Sequence, residues 1–174
     1  MSTFELVDAV CLLKPNAQLV SAGTVSRGGK SVKTVDVKAV IEVDVSDDIA
    51  KGIDFLFPGI SMYLKSVASL EHYKGEDRSS RTSLPEMNID IHYNESLVLS
   101  KKNCPIKGRA QLKINKEGEA KLILRPLMKL DESELPALAE YIDSDLRVTC
   151  EPMQIDIEHQ GESNVKAIRR QKTA

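Results

Sequence analysis

From Thr34 to Val45 the chain alternates strictly. Val35, Val37, Ala39, Ile41, Val43 and Val45 fall on one side, and Thr34, Asp36, Lys38, Val40, Glu42 and Asp44 on the other. A period of two marks a β-strand that buries one face. Upstream, FELVDAVCLL and QLVSAGT read as two further strands, and Gly28-Gly29 is a hairpin signal joining the second of them to the long strand. The period then changes. SDDIAKGIDFLF sets Ile49, Ile53 and Leu56 on one helical face, with Ser46 as N-cap and acids in the first turn, so a helix is expected near residues 47–57. Pro58-Gly59 ends it, and Ile60, Leu64 and Val67 predict a second helix over 60–71. HYKGEDRSSRTSLPE is polar and turn-rich and reads as a mobile surface loop.

The second half reads as MNIDIHY, SLVLS, GRAQLKIN and EAKLILR, all strands, then a helix, then the strands LRVTC and MQIDIE. The helix, DESELPALAEYID near 133–142, takes Asp131 or Ser133 as its cap, tolerates Pro136 in its first turn, and turns Leu135, Leu138, Ala139 and Ile142 to the core. Many strands with a few segregated helices predict an α+β fold: one domain over 1–163, a mainly antiparallel sheet with about three helices packed on one face, and a basic C-terminal tail over 164–174. MNIDI-HYNES and MQIDIEHQGES resemble each other apart from one inserted residue, a likeness short enough to be chance.

Composition narrows the class. With 174 residues, 41% of them hydrophobic and 29% charged, the chain suits a single globular core. Cys11, Cys104 and Cys150 form no CxxC pair and suit neither a disulfide framework nor a zinc site, so a reducing, cytoplasmic setting is expected. The opening MSTFELVDAVCLLKPN lacks a basic n-region, and no apolar run is long enough for a bilayer, so no membrane partner is expected. The net charge of −2 conceals blocks. Residues 101–129 carry nine Lys/Arg against Glu117 and Glu119, 130–163 carry ten Asp/Glu against Arg147, and the tail holds Lys166, Arg169, Arg170 and Lys172. Segregation of this kind marks either an interaction surface or an internal neutralisation.

GTVSRGGKS, from Gly23 to Ser31, superficially resembles a phosphate-binding loop. That loop needs two glycines with four residues between them, then Lys and Ser/Thr, opening a helix. Counted from Gly23, the lysine position is Gly29; counted back from Lys30, the first glycine position is Thr24. A strand follows instead of a helix, so the stretch reads as a β-turn and not as a nucleotide site.

The hairpin GRAQLKINKEGEAKLILRP carries the strongest electrostatic anomaly. A three-residue loop Lys116-Glu117-Gly118 sets Asn115 opposite Glu119. Leu112 then faces Leu122 and Ala110 faces Leu124 on the apolar side, while Lys113 faces Lys121 and Arg109 faces Arg125 on the polar side. Opposed like charges weaken a strand pair by roughly 0.2–1 kcal/mol each, so this face calls for an anion. The candidates are a DNA or RNA backbone, an acidic protein partner or second copy of the chain, and the chain's own acidic block 130–163. Arg27, Lys30 and Lys33 beside the Gly-Gly turn, together with the basic tail, favour a nucleic-acid backbone. The candidate nucleic-acid-binding residues are therefore Arg27, Lys30, Arg109, Lys113, Lys116, Lys121 and Arg125. With 4% aromatic residues and no Trp, stacking platforms are scarce, and binding should be backbone-directed and salt-sensitive.

The enzyme alternative rests on Asp90, His92, Asp156 and His159, which could hold Mg²⁺ or Mn²⁺ for phosphodiester hydrolysis if the two similar strands were neighbours. No diagnostic spacing supports it, and neither a Gly-x-Ser-x-Gly elbow nor a Cys-His pair is present. No cofactor, catalytic residue or metal ligand is assigned. The expected function is a non-enzymatic accessory module that contacts nucleic-acid backbone, with a protein-binding or self-assembling subunit as the alternative and a metal-dependent nuclease as the second.

Overall fold

In the computed structural model, residues 4–70, 72 and 74–153 are described, without the side chains of 15–21 and 25. The order is β1 (Leu6–Arg27), β2 (Lys30–Asp44), α1 (Asp47–Ile53), α2 (Ile60–Ala68), β3 (Arg78–Thr82), β4 (Met87–Tyr93), β5 (Ser96–Cys104), β6 (Ala110–Ile114), β7 (Ala120–Leu124), β8 (Leu127–Asp131), α3 (Glu134–Glu140) and β9 (Asp145–Pro152). The nine strands form one sheet of antiparallel pairs ordered β3-β6-β7-β2-β1-β9-β4-β5, with β8 also on β2. This is the α+β, mostly antiparallel architecture expected from the periodicities.

β2 organises the sheet. Val37, Ala39, Ile41 and Val43 are all buried, as the alternation predicts, and the intervening side chains point to the opposite face. One edge of β2 pairs with β1; the other pairs first with β8 (Thr34↔Asp131 to Lys38↔Leu127) and then with β7 (Ile41↔Leu124 to Asp44↔Lys121). Between β7 and β8 the chain passes Arg125-Pro126, where the Ala39 N–H donates to the Pro126 carbonyl (3.1 Å). Proline cannot donate in return, so one ladder is broken there into two strands.

The far end of the sheet returns to this junction. After β5, Ile106 bridges Pro126, the Leu127 N–H donates to the Pro105 carbonyl (2.8 Å) and the Lys107 N–H to the Arg125 carbonyl (2.8 Å). The segment after β5, residues 105–107, is thereby hydrogen-bonded to the β7–β8 junction, while β6 and β3 continue from β7. Leu13, Ile41, Ile89, Leu122, Met128, Leu130 and Val148 lie inside one continuous buried cluster, which Ile53, Phe57, Ile60 and Leu138 of the helical segments join. Each fully buried side chain of this size contributes about 1.5–3 kcal/mol, so the cluster supplies the main driving force.

The helices are short and specifically capped. Ser46 Oγ accepts from the Ile49 N–H (3.4 Å), and the Asp54 carboxylate accepts from the Ser61 N–H (3.1 Å) at the start of α2, where Gly59 (φ +83°) offers no side chain. That bond from Ser61 holds the Asp54 carboxyl below its ordinary value. α1 stops at Ile53 instead of running to 57: the Leu56 and Phe57 N–H groups both donate to the Ile53 carbonyl in a closing turn, and Pro58 has no N–H to carry the ladder on to Asp54. At α3 the side-chain cap is Asp131: its Oδ1 accepts from the Ser133 and Glu134 N–H groups (both 3.0 Å), and Glu134 Oε2 accepts in return from the Asp131 N–H (2.9 Å). This is a reciprocal capping box. Leu138 is the buried residue of α3; Leu135, expected inside, is 40% exposed.

Two strands go beyond the sequence reading. β8 was hidden by the preceding proline, and β3 lies inside the segment expected as a loop. FELVDAVCLL and QLVSAGT are one strand, β1, with register shifts between Lys14 and Gln18 and between Leu19 and Ser21. MQIDIE and the tail 164–174 fall outside the described residues apart from Met153.

All three cysteines are buried free thiols. Burial, reinforced by Asp44, pushes Cys11 up to about 12; burial pushes Cys104 up to about 11 and raises Cys150 as well. The thiolate is the reactive form, so a disulfide-exchange reagent should leave the native protein unmodified at about pH 8 and titrate three thiols after unfolding in guanidinium. A fast native thiol would contradict the packing.

Candidate nucleic-acid interface

The hairpin of β6 and β7 has the register its loop dictates. Lys113 pairs with Lys121, Leu112 with Leu122 and Ile114 with Ala120. The Asn115 N–H donates to the Glu119 carbonyl (2.9 Å), and Gly118, at φ +86°, takes the left-handed position. Arg109 does not pair with Arg125. β6 begins only at Ala110, and Gly108 (φ +70°) turns the chain so that Lys107 meets Arg125 instead. One opposed basic pair is therefore formed and the other is not.

What surrounds that pair is set by β2. The outward residues of β2 sit beside those of β7: Glu42 opposite Ile123, and Asp44 opposite Lys121. Lys121 Nζ lies 3.7 Å from Glu42 Oε2 and 3.9 Å from Asp44 Oδ1, and Lys14 Nζ from β1 lies 3.4 Å from the same Glu42 oxygen. Lys14, Lys38, Val40, Glu42, Lys113, Ile123 and Arg125 line one shallow groove of about 400 Å³ across β1, β2, β7 and β6. Five cations, counting Lys121, thus surround two carboxylates. Among the described residues Lys38, Lys113 and Arg125 make no ion pair.

The described part of the acidic block, residues 130–153, does not supply the missing anions. Among the described residues its ion pairs go elsewhere: Asp131 to Arg27 (Nη1–Oδ2 3.6 Å), and Glu134 to Lys101. The second pair is the more shielded and ties α3 to β5. The first ties the β1–β2 turn to the body of the sheet. An internal neutralisation of the hairpin does exist, but it comes from Glu42 and Asp44 on β2 and reaches Lys121, not Lys113.

The segment that resembled a phosphate loop is the tip of an arm. Beyond Thr34↔Asp131, β2 has no partner except β1, and Thr24↔Lys33 to Arg27↔Lys30 form a two-stranded ribbon closed by Gly28 (φ +55°) and Gly29 (φ +76°). Both glycines are left-handed, the geometry of a two-residue hairpin turn. Arg27, Lys30 and Lys33 are exposed on it. A second groove, of about 460 Å³, runs between the arm and the body along Arg27, Asp36, Lys102, Asn103, Leu127 and Lys129. Because Asp36 and Lys129 are register neighbours of Lys38 and Leu127, the two grooves follow one another along the outward side of β2. Lys116, in the hairpin loop, is exposed, and its carbonyl accepts from the Gly75 N–H (3.0 Å).

Sequence reasoning named Arg27, Lys30, Lys113, Lys121 and Arg125, which the fold distributes over this side and the arm. It missed Lys14, Lys38 and Lys129. Lys38 stood at a polar position of the alternating strand, and that alternation was the available signal. The metal alternative finds no support: Asp90 Oδ1 accepts from Ser100 Oγ (2.5 Å), His92 stands opposite Arg147, and no group of three or more ligating side chains converges among the described residues. Asp156 and His159 lie outside them. No helix among the described residues is long and apolar enough to cross a membrane.

No protein family, curated protein or solved structure matches the chain.

Two predictions follow from the charge geometry. Replacing Lys113 by Gln removes repulsion without breaking an ion pair, so the urea midpoint should stay unchanged or rise by the equivalent of up to about 1 kcal/mol. Lys121→Gln also loses Glu42 and Asp44 and should cost about 0–1 kcal/mol; the reverse ranking would refute the assignment. The second concerns Asp131, whose carboxyl is held below its ordinary 3.8 chiefly by the Ser133 hydroxyl, with the Glu134 and Ser133 N–H groups and Lys101 adding to it. A depressed pKa stabilises the fold above the unfolded value and is lost as pH falls through the folded one. The stability gap between wild type and Asp131→Asn should therefore be widest at neutral pH and shrink at about pH 3. A gap independent of pH would contradict the capping role.

Proposed function

We propose that the protein is a non-enzymatic accessory module that holds a nucleic-acid backbone on the outward side of β1, β2, β7 and β6, with the β1–β2 arm as a second contact. The observation that carries this reading is the excess of cations on that side. Lys14, Lys38, Lys113, Lys121 and Arg125 outnumber the carboxylates Asp36, Glu42 and Asp44 on that side, and Lys38, Lys113 and Arg125 are left without an ion pair among the described residues. A phosphate chain would supply the missing charge at regular intervals, and exposed lysines would release its counterions on binding. Val40 and Ile123 form an apolar floor that brings no base-specific donors, in keeping with contacts that position without reading sequence. The buried free thiols fit a reducing, cytoplasmic setting.

A second reading, an assembly subunit or protein-binding module, draws on a different feature. Ala22, Thr24, Val35, Leu130 and Leu135 line a largely apolar groove of about 450 Å³ between the arm and α3. The two readings separate in solution. Fluorescence anisotropy with a labelled oligonucleotide should show binding that weakens on the order of 10²-fold between about 50 and 200 mM salt, the loss expected for about four phosphate contacts. Lys113→Gln with Arg125→Gln should weaken binding and flatten the slope of log Kd against log salt by about 0.9 per contact removed. No binding at low salt would transfer the assignment to a protein partner.

A further inference from the structure

We infer that the nucleic acid is double-stranded DNA and that the tip of the β1–β2 arm enters its major groove; this rests on the backbone-binding reading above. Three features of the arm carry it. First, it is a two-stranded ribbon, paired only with itself from Thr24↔Lys33 to Arg27↔Lys30. The two strands of a ribbon lie about 4.8 Å apart, and the major groove of B-DNA, about 12 Å wide and 8.5 Å deep, admits such a ribbon with its side chains. Ser26 to Ser31, about three residues in each leg at roughly 3.3 Å per residue, reach that depth.

Second, the side chains at the tip suit a groove. Ser26 and Ser31 are cross-strand partners on one face of the ribbon, and Arg27 and Lys30 on the other. Small hydroxyls permit close approach to base edges, and Arg or Lys is the usual donor to guanine acceptors. The Gly28-Gly29 turn adds no bulk, and nothing lies within 4 Å of where a Cβ would stand at either position.

Third, arm and sheet face act from the same side. Period-two register places Arg27 and Lys30 on the side shared by Asp36 and Lys38 of β2, so a duplex engaged by the arm presents its phosphates to the sheet. Single strands are bound through stacked aromatic rings. No aromatic ring lies on β1, β2, β6 or β7: Phe4 and Phe57 are in the core, Phe55 is exposed in the connection between α1 and α2, Tyr93 packs on Tyr141 with centroids 5.0 Å apart, and Tyr63 lies under Arg78. Duplex RNA is a poor fit because its major groove is too deep and narrow for side chains to read.

The test uses the full chain and three labelled probes of one sequence and about 20 nucleotides per strand: duplex DNA, duplex RNA and single-stranded DNA, at one salt concentration low enough for phosphate contacts to register. Duplex DNA should bind about tenfold more tightly than either other probe, the size of one or two groove contacts. Arg27→Gln with Lys30→Gln should erase most of that preference while leaving salt-dependent binding to all three. Because Arg27 also pairs with Asp131, Lys30→Gln alone serves as a second variant that breaks no ion pair among the described residues, and its native fold is verified by circular dichroism. Equal or tighter binding of single strands or duplex RNA would overturn the inference and leave the backbone-binding reading standing. Loss of affinity for all three probes in equal proportion in the Lys30 variant would reduce the arm to one more phosphate contact and overturn its groove role. No binding to any probe would overturn both readings.

Discussion

The pairing of β2 on both edges is the constraint from which the rest of the structure follows. One edge is held by β1, and the other is divided between β8 and β7 by Pro126. Strict alternation along β2 sends Val37, Ala39, Ile41 and Val43 to the interior and Asp36, Lys38, Val40, Glu42 and Asp44 outward. A slip of one residue would exchange the two sets, burying charges with no partner at a cost that the core could not offset. Register is therefore fixed by hydrophobic burial, and the outward charges inherit it.

That inheritance links stability to the candidate function. Glu42 stands where it can hold both Lys14 and Lys121 because β1 and β7 flank β2 at that level. The same register leaves Lys113 one strand further out, without an ion pair among the described residues. A surface of this kind balances two demands. Enough acid is present to let the strands pair, and too little to neutralise them. The Arg27–Asp131 contact connects the arm to the end of β8, where Asp131 also caps α3, so the arm is tethered through a carboxylate already committed to the fold.

Much of this was legible in the sequence where the governing interaction is local. The β6–β7 register follows from a three-residue loop with glycine in its last position. The rejection of a phosphate loop follows from spacing and from the strand after it, and Ser46, Pro58 and Gly59 mark their helix ends. What the sequence did not reveal is non-local. β8 is hidden because Arg125-Pro126 reads as a break, although the ladder on β2 resumes two residues later. β3, RSSRT, is exposed along most of its length and pairs with β6 alone, so no apolar period announces it. The neutralisation of Lys121 by Glu42 and Asp44 joins residues nearly eighty positions apart and depends on β2 meeting β7. Arg109 was misplaced because strand pairing was extended past Ala110 to Arg109, beside Gly108, where the backbone turns left-handed.

The central claim is that the outward side of β1, β2, β7 and β6, and the arm that continues it, is where an anionic backbone rests. Backbone amide NMR during titration with a short DNA duplex tests it most directly. The account predicts salt-sensitive shift changes concentrated at Lys38, Val40, Lys113, Ile123 and Arg125 and at the arm tip around Lys30, with α1 and α2 unaffected. Changes confined to the helices, or scattered without relation to this face, would contradict it.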